Sequence, residues 1–106
     1  MLAAQRAAAL ALRAKLEREL SAIIESGSSG ADDEHDPEGA TLAFERQHAA
    51  ALLNETRQRL AEIDAAMVRV AEGSYGRCDG CGGPIGAERL SARPTASTCI
   101  RCAHVR

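Results

Sequence analysis

Four cysteines, Cys78, Cys81, Cys99 and Cys102, fall into two C-x-x-C pairs separated by 17 residues. Thiolates are soft ligands. A C-x-x-C turn points two of them the same way, and two such turns together supply the tetrahedral four-sulfur shell that Zn²⁺ prefers. Four protein ligands leave no position for water, so the expected ion is structural rather than catalytic, and the chemistry, if any, lies elsewhere. All four cysteines are consumed by one site, which suits a reducing cytoplasm. The competing arrangement, two disulfides in a secreted domain, wants a signal peptide that the sequence does not display. His104 stands two residues after Cys102, too short a reach to replace a thiolate, and reads as a surface residue, while His48 reads as a solvated or partly buried helix residue.

Something must position this cluster, and the composition limits what it can be. The chain has 106 residues with one Phe, one Tyr and no Trp, too few bulky groups for an ordinary globular core. It carries 22 alanines beside many Leu, Glu and Arg. That is the composition of long helices packed closely on one another. The formal net charge is −2, which argues against a general nucleic-acid binder. Arg6, Arg13 and Lys15 interrupt the longest apolar stretch, so no membrane span is expected.

Leu12, Leu16, Leu20, Ile23 and Ile24 recur at helical spacing and predict a first helix from residue 2 to about 25. Ser26-Gly27-Ser28-Ser29-Gly30 then breaks it, and the acidic run from Asp32 to Asp36 completes a loop. Asp36 is a good N-cap, Pro37 suits the first helical position and Glu38 complements the helix dipole. A second helix is therefore predicted over 37–72. Its seam of Leu53, Thr56, Leu60, Ile63, Met67 and Val70 alternates by three and four, extended backward by Ala49 and Leu42, and Gly73 ends it. At 1.5 Å per residue such a helix runs about 54 Å. The expected fold is mainly α: a long antiparallel coiled-coil hairpin over 1–72, with an acidic tip at about 27–40, and a C-terminal Cys₄ zinc finger over 73–106. A parallel dimer through the same seam is the alternative; the Gly/Ser loop favours a monomer in which the first helix covers the seam.

Between the cysteines the residues are more specific still. Tyr75-Gly76, Ile85-Gly86, Arg89-Leu90 and the run Ala92-Arg93-Pro94-Thr95-Ala96, set among the two C-x-x-C pairs, resemble the DksA/TraR family of bacterial transcription regulators. Gly80, Gly82 and Gly83 are expected to allow the tight turns and positive φ around the thiolates, with Ile85, Leu90 and Ile100 as the apolar seat and Tyr75 packed where helix meets finger.

The resemblance implies a protein that binds RNA polymerase, inserts its hairpin in the secondary channel and brings an acidic tip near the active site, without sequence-specific DNA binding and without being an enzyme itself. The family's tip pattern is Asp-x-x-Asp-x-Ala. Counted back from Cys78 it places Ala40 on the Ala, Glu38 on the second Asp and His35 on the first. Asp33 and Asp36 supply the Asp-x-x-Asp spacing in a second alignment. Asp33, Asp36, Glu38 and Ala40 are thus the tip candidates. The resemblance also implies a site for the alarmone ppGpp, in which Arg93 matches a basic position while Glu62 and Ala103 stand where two further basic residues are expected. Weak or absent ppGpp dependence follows. Two other functions compete: a zinc-ribbon nucleic-acid-binding module, from Arg77, Arg89, Arg93, Arg101 and Arg106, and a Gre-like helper of transcript cleavage, from the tip carboxylates.

Overall fold

The computed structural model describes residues 1–28 and 37–104, with the side chains of 27–28 and 37–39 left aside. Four helices follow one another: α1 (Leu2–Ser28), α2 (Pro37–Glu72), α3 (Ala87–Ala92) and α4 (Ile100–His104). The span of α2 matches the sequence expectation, whereas α1 continues through Gly27, which helical neighbours tolerate at modest cost. The expected cap Asp36 and the tip residue Asp33 lie outside the described residues. No helix among the described residues is long and apolar enough to cross a membrane.

The chain forms two compact units, one of Ala7–Leu60 and one of Met1–Arg6 with Ala61–Arg106. In the first, α1 and α2 run antiparallel: Glu17 meets Arg57 at 3.4 Å, while Ala22 and Ile23 share a groove with Phe44 and His48. Its buried residues are Ala9, Leu16, Ala49, Leu53, Thr56 and Leu60. The Thr56 hydroxyl donates to the Leu52 carbonyl at 2.8 Å, which is how a polar side chain sits in this seam without an unmade hydrogen bond.

An inward strip of α1 runs through Ala9, Arg13, Leu16, Leu20 and Ile23, stepping by four and three, with Leu10 and Ala14 half-buried beside it. Leu12 and Ile24, expected in the seam, stand one residue off this strip and are 41% and 42% exposed. One residue is about 100° of helix, enough to turn a side chain out. Small Ala9 takes a core position because it lets the helices approach closely.

In the second unit the strip on α2 continues from Ile63 to Ala66, which are 1% and 0% exposed, and then to half-buried Arg69. Met67 and Val70, the expected continuation, are 36% and 53% exposed. Steps of three instead of four rotate the buried face as α2 nears its end, turning it toward the finger. There the Arg69 guanidinium donates to the Thr95 carbonyl at 3.2 Å. Gly73, at φ 81°, closes the helix as expected: its N–H bonds the Val70 carbonyl and the Ser74 N–H the Arg69 carbonyl, the paired bonds of a Schellman cap. Arg6 lies against the same stretch of α2, with its Nε 2.7 Å from an Asp64 carboxylate oxygen.

Candidate metal centre

The two cysteine turns are built differently. The first is a short hairpin in which Arg77 bridges Pro84, the Cys78 N–H bonds the Gly83 carbonyl at 2.7 Å and the Gly82 N–H returns to the Cys78 carbonyl at 2.9 Å. Gly82 adopts φ 76°, a left-handed turn that favours glycine. Gly80 is required for a different reason. A Cβ there would lie 2.8 Å from the Cys102 sulfur. Gly83 shows neither constraint, so the expected role of positive φ holds for Gly82 alone of the three.

The second turn opens α4, where the Ala103 N–H bonds the Cys99 carbonyl at 3.0 Å. The turns are stitched together by the Asp79 N–H on the Ser97 carbonyl at 2.8 Å and by the Cys99 N–H on the Cys78 sulfur at 3.3 Å. Gly80 sends a second N–H to the same sulfur, also at 3.3 Å.

All four Sγ atoms lie within 4.8 Å of one another, and the Cys81 and Cys99 sulfurs are 3.9 Å apart. A tetrahedral zinc with Zn–S of about 2.3 Å separates its sulfurs by about 3.8 Å, so the cluster fits that ion. The electrostatics agree. The Cys99 N–H is the largest influence holding the Cys78 thiol down at about 6, against the opposing effect of burial. Cys99 is lowered too, first by the Cys102 N–H, while Cys102 is pushed up to about 12, chiefly by Cys78 beside it. Four sulfurs this close cannot all ionise by themselves. A dication lets them, and binding it releases protons. The chemistry on offer is a closed structural centre holding one metal ion.

Around it, Cys78, Ile85 and Ala96 are buried, with Leu90, Cys99 and Cys102 packed on them. Ile100, expected in this seat, is 55% exposed because α4 turns it outward. The Pro94–Thr98 segment is held by its carbonyls. Tyr75 Oη donates to Pro94 at 2.8 Å, Arg69 to Thr95, Asp79 N–H to Ser97, and Arg89 Nε to Thr98 at 2.7 Å. Tyr75 thus joins helix end to finger as expected. The roles of Arg69 and Arg89 escaped sequence reasoning, although an arginine on the inward strip of α2 is itself a signal.

Arg93 is exposed and borders a cavity of about 350 Å³ with Glu62, Arg89, Thr95, Thr98 and Ala103. The structure therefore brings together the three residues singled out for ppGpp, with a carboxylate among them. Of the tip candidates, Ala40 is exposed on α2, Glu38 lies in α2 with its side chain outside the description, and Asp33 and Asp36 lie outside the described residues. His48 is exposed and stacks on Phe44, 6.4 Å between ring centroids, and His104 is exposed in α4.

Residues 73–106 match the family model of the prokaryotic dksA/traR C4-type zinc finger. Over 58 residues the chain is 47% identical to the RNA polymerase-binding transcription factor DksA of Caulobacter vibrioides, covering 53% of this chain and 41% of that protein. It is 39% identical over 62 residues to the DksA of Escherichia coli strain K12, covering 57% and again 41%. The matched stretch thus spans about two fifths of either relative's length. The solved structure of transcription factor DksA2 from Pseudomonas aeruginosa superimposes with a TM-score of 0.62 at 31% identity, covering 94% of this chain and 78% of that one.

Proposed function

Because the chain belongs to the DksA/TraR family of C4 zinc-finger proteins, we propose that it is a transcription regulator that binds RNA polymerase directly. The observation that carries this reading is the extent of the likeness to DksA2, which takes in the helical part as well as the finger. On this reading the helical hairpin enters the secondary channel and presents an acidic tip, drawn from Asp33, Asp36, Glu38 and Ala40, near the polymerase active site. The finger clasps the base of the hairpin, and a cytoplasmic monomer carries out the task. Negative charge held on paired helices is suited to a narrow basic channel.

The test is in vitro transcription with the cognate polymerase, comparing the wild type with the D33N/D36N/E38Q variant. Loss of the transcriptional effect with polymerase binding retained is the expected result. An unchanged effect refutes the tip mechanism.

The cavity beside Arg93 supports weak or absent dependence on ppGpp. Glu62 places a negative charge where a polyphosphate would lie, Ala103 adds no cation, and Arg89 is already committed to the Thr98 carbonyl. Each charge-assisted contact carries much of the affinity for a phosphate, so losing two weakens it steeply. A strong ppGpp dependence of the transcriptional effect would sink this part.

Exposed Arg77, Arg93 and Arg101 favour one second reading, a nucleic-acid-binding finger. The polymerase reading expects only weak, steeply salt-sensitive gel shifts on bare duplex. Tight binding at physiological salt would favour the finger.

A further inference from the structure

Between α1 and α2, within the unit of Ala7–Leu60, lies an apolar groove of about 370 Å³ whose walls include Leu16, Ala22, Ile23, Phe44, Ala49 and Leu52. Phe44 is the one phenylalanine of the chain, and it is 71% exposed. Leu52, two turns further along α2, is 37% exposed. A chain that fills its seams with alanine yet leaves its largest hydrocarbon side chain in water marks a surface for contact rather than for folding. The His48 ring lies within 6° of parallel to Phe44 and braces it as one wall of the groove.

Charge at the rim says what fits. Glu19 from α1 and Glu45 from α2 both border the groove. Among the described residues Glu19 pairs only with Lys15 Nζ, at 3.9 Å, and Glu45 has no ion pair. We infer that this groove is a docking site for a protein segment of RNA polymerase that presents an apolar side chain flanked by arginine or lysine. The inference rests on the polymerase reading above and adds a second contact to the tip. A nucleic acid does not suit the groove, because the two carboxylates repel phosphate. A symmetric pairing of two copies does not suit it either, because it sets the carboxylates of one copy against those of the other. The seam residues Ala49, Leu53, Thr56 and Leu60 are already buried within the chain, so a coiled-coil dimer cannot use them.

The test measures binding of the full chain to cognate RNA polymerase at low and physiological salt, for the wild type, F44A, E45K and E55K. Glu55 is exposed on the same helix but does not line the groove, so E55K controls for the change of charge. Because Phe44 and Glu45 are exposed, the thermal midpoints of their variants stay near that of the wild type. F44A is expected to bind about tenfold or more weakly, as aromatic anchors do. E45K is expected to weaken binding most at low salt, where charge is least screened, with E55K within about twofold of the wild type. Wild-type affinity in both F44A and E45K overturns the inference alone. A wild-type chain that does not bind polymerase overturns it together with the proposed function. Self-association of the free chain that F44A abolishes assigns the groove to a second copy and overturns it as well.

Discussion

The backbone N–H of Cys99 points at the sulfur of Cys78 from 3.3 Å, so the first ligand of the second turn supports the first ligand of the other. Neither C-x-x-C turn is complete without its partner. The ion and the fold of the finger are therefore one cooperative event, and the consequences can be measured.

Chelation of the metal is expected to unfold the finger, since structural zinc contributes on the order of 10 kcal/mol in small sites. Loss of dispersed amide resonances for residues 74–104 on adding a chelator checks this. A finger that keeps its resonances without metal contradicts it.

Acidification is expected to release the ion, because protons compete for the thiolates. Without metal the Cys78 thiol is already depressed to about 6, so the stabilisation of its thiolate is lost as pH falls through about 6, and a bound dication holds the thiolate to lower pH still. Zinc release followed with a colorimetric indicator is expected to be small at pH 7.5 and to grow only as the pH is taken below 6.

Gly80→Ala and Gly82→Ala are expected to differ in kind. At Gly80 the new methyl group meets the Cys102 sulfur at 2.8 Å, displacing a ligand and lowering zinc affinity by about tenfold or more. At Gly82 nothing lies within 4 Å, but φ 76° is strained for alanine, at a cost of about 1–2 kcal/mol with the metal retained. Metal stoichiometry and thermal midpoint together separate the two.

Tyr75→Phe removes the bond to the Pro94 carbonyl and is expected to cost about 1 kcal/mol. Arg69→Met is expected to cost more, about 1.5–3 kcal/mol, because a charged donor to Thr95 is lost from a partly buried site. By contrast Asp64→Asn, which breaks an ion pair with both partners well exposed, is expected to cost less than about 1 kcal/mol and less still in high salt. Denaturant midpoints of the three variants test the ordering, and a costly Asp64→Asn would reverse it.

Cysteine spacing alone named the metal and its ligands, because few other arrangements use two C-x-x-C pairs. The boundaries of α2 were legible from Pro37 and Gly73, which act locally through missing hydrogen-bond donors and left-handed backbone. Leu12, Ile24, Met67, Val70 and Ile100 were misjudged for a shared reason. Hydrophobicity marks a residue as able to be buried, but the packing partner decides which of two adjacent positions faces inward. Ala9 and Ala66 won those places by being small, a property that composition reports and pattern reading undervalues. The carbonyl contacts of Arg69 and Arg89 were invisible because any residue offers a carbonyl, so nothing in the sequence of the accepting segment announces them.

That anonymity has a consequence for how the finger can diversify. The segment from Pro94 to Thr98 is gripped by four of its carbonyls, and Ala96 is its one buried side chain, packed with Cys78 and Ile85. Thr95, Ser97 and Thr98 line the cavity beside Arg93 and can be exchanged without loosening the grip. The zinc finger thus carries an interchangeable rim on a fixed mount, a place where recognition can be rewritten at little cost to folding.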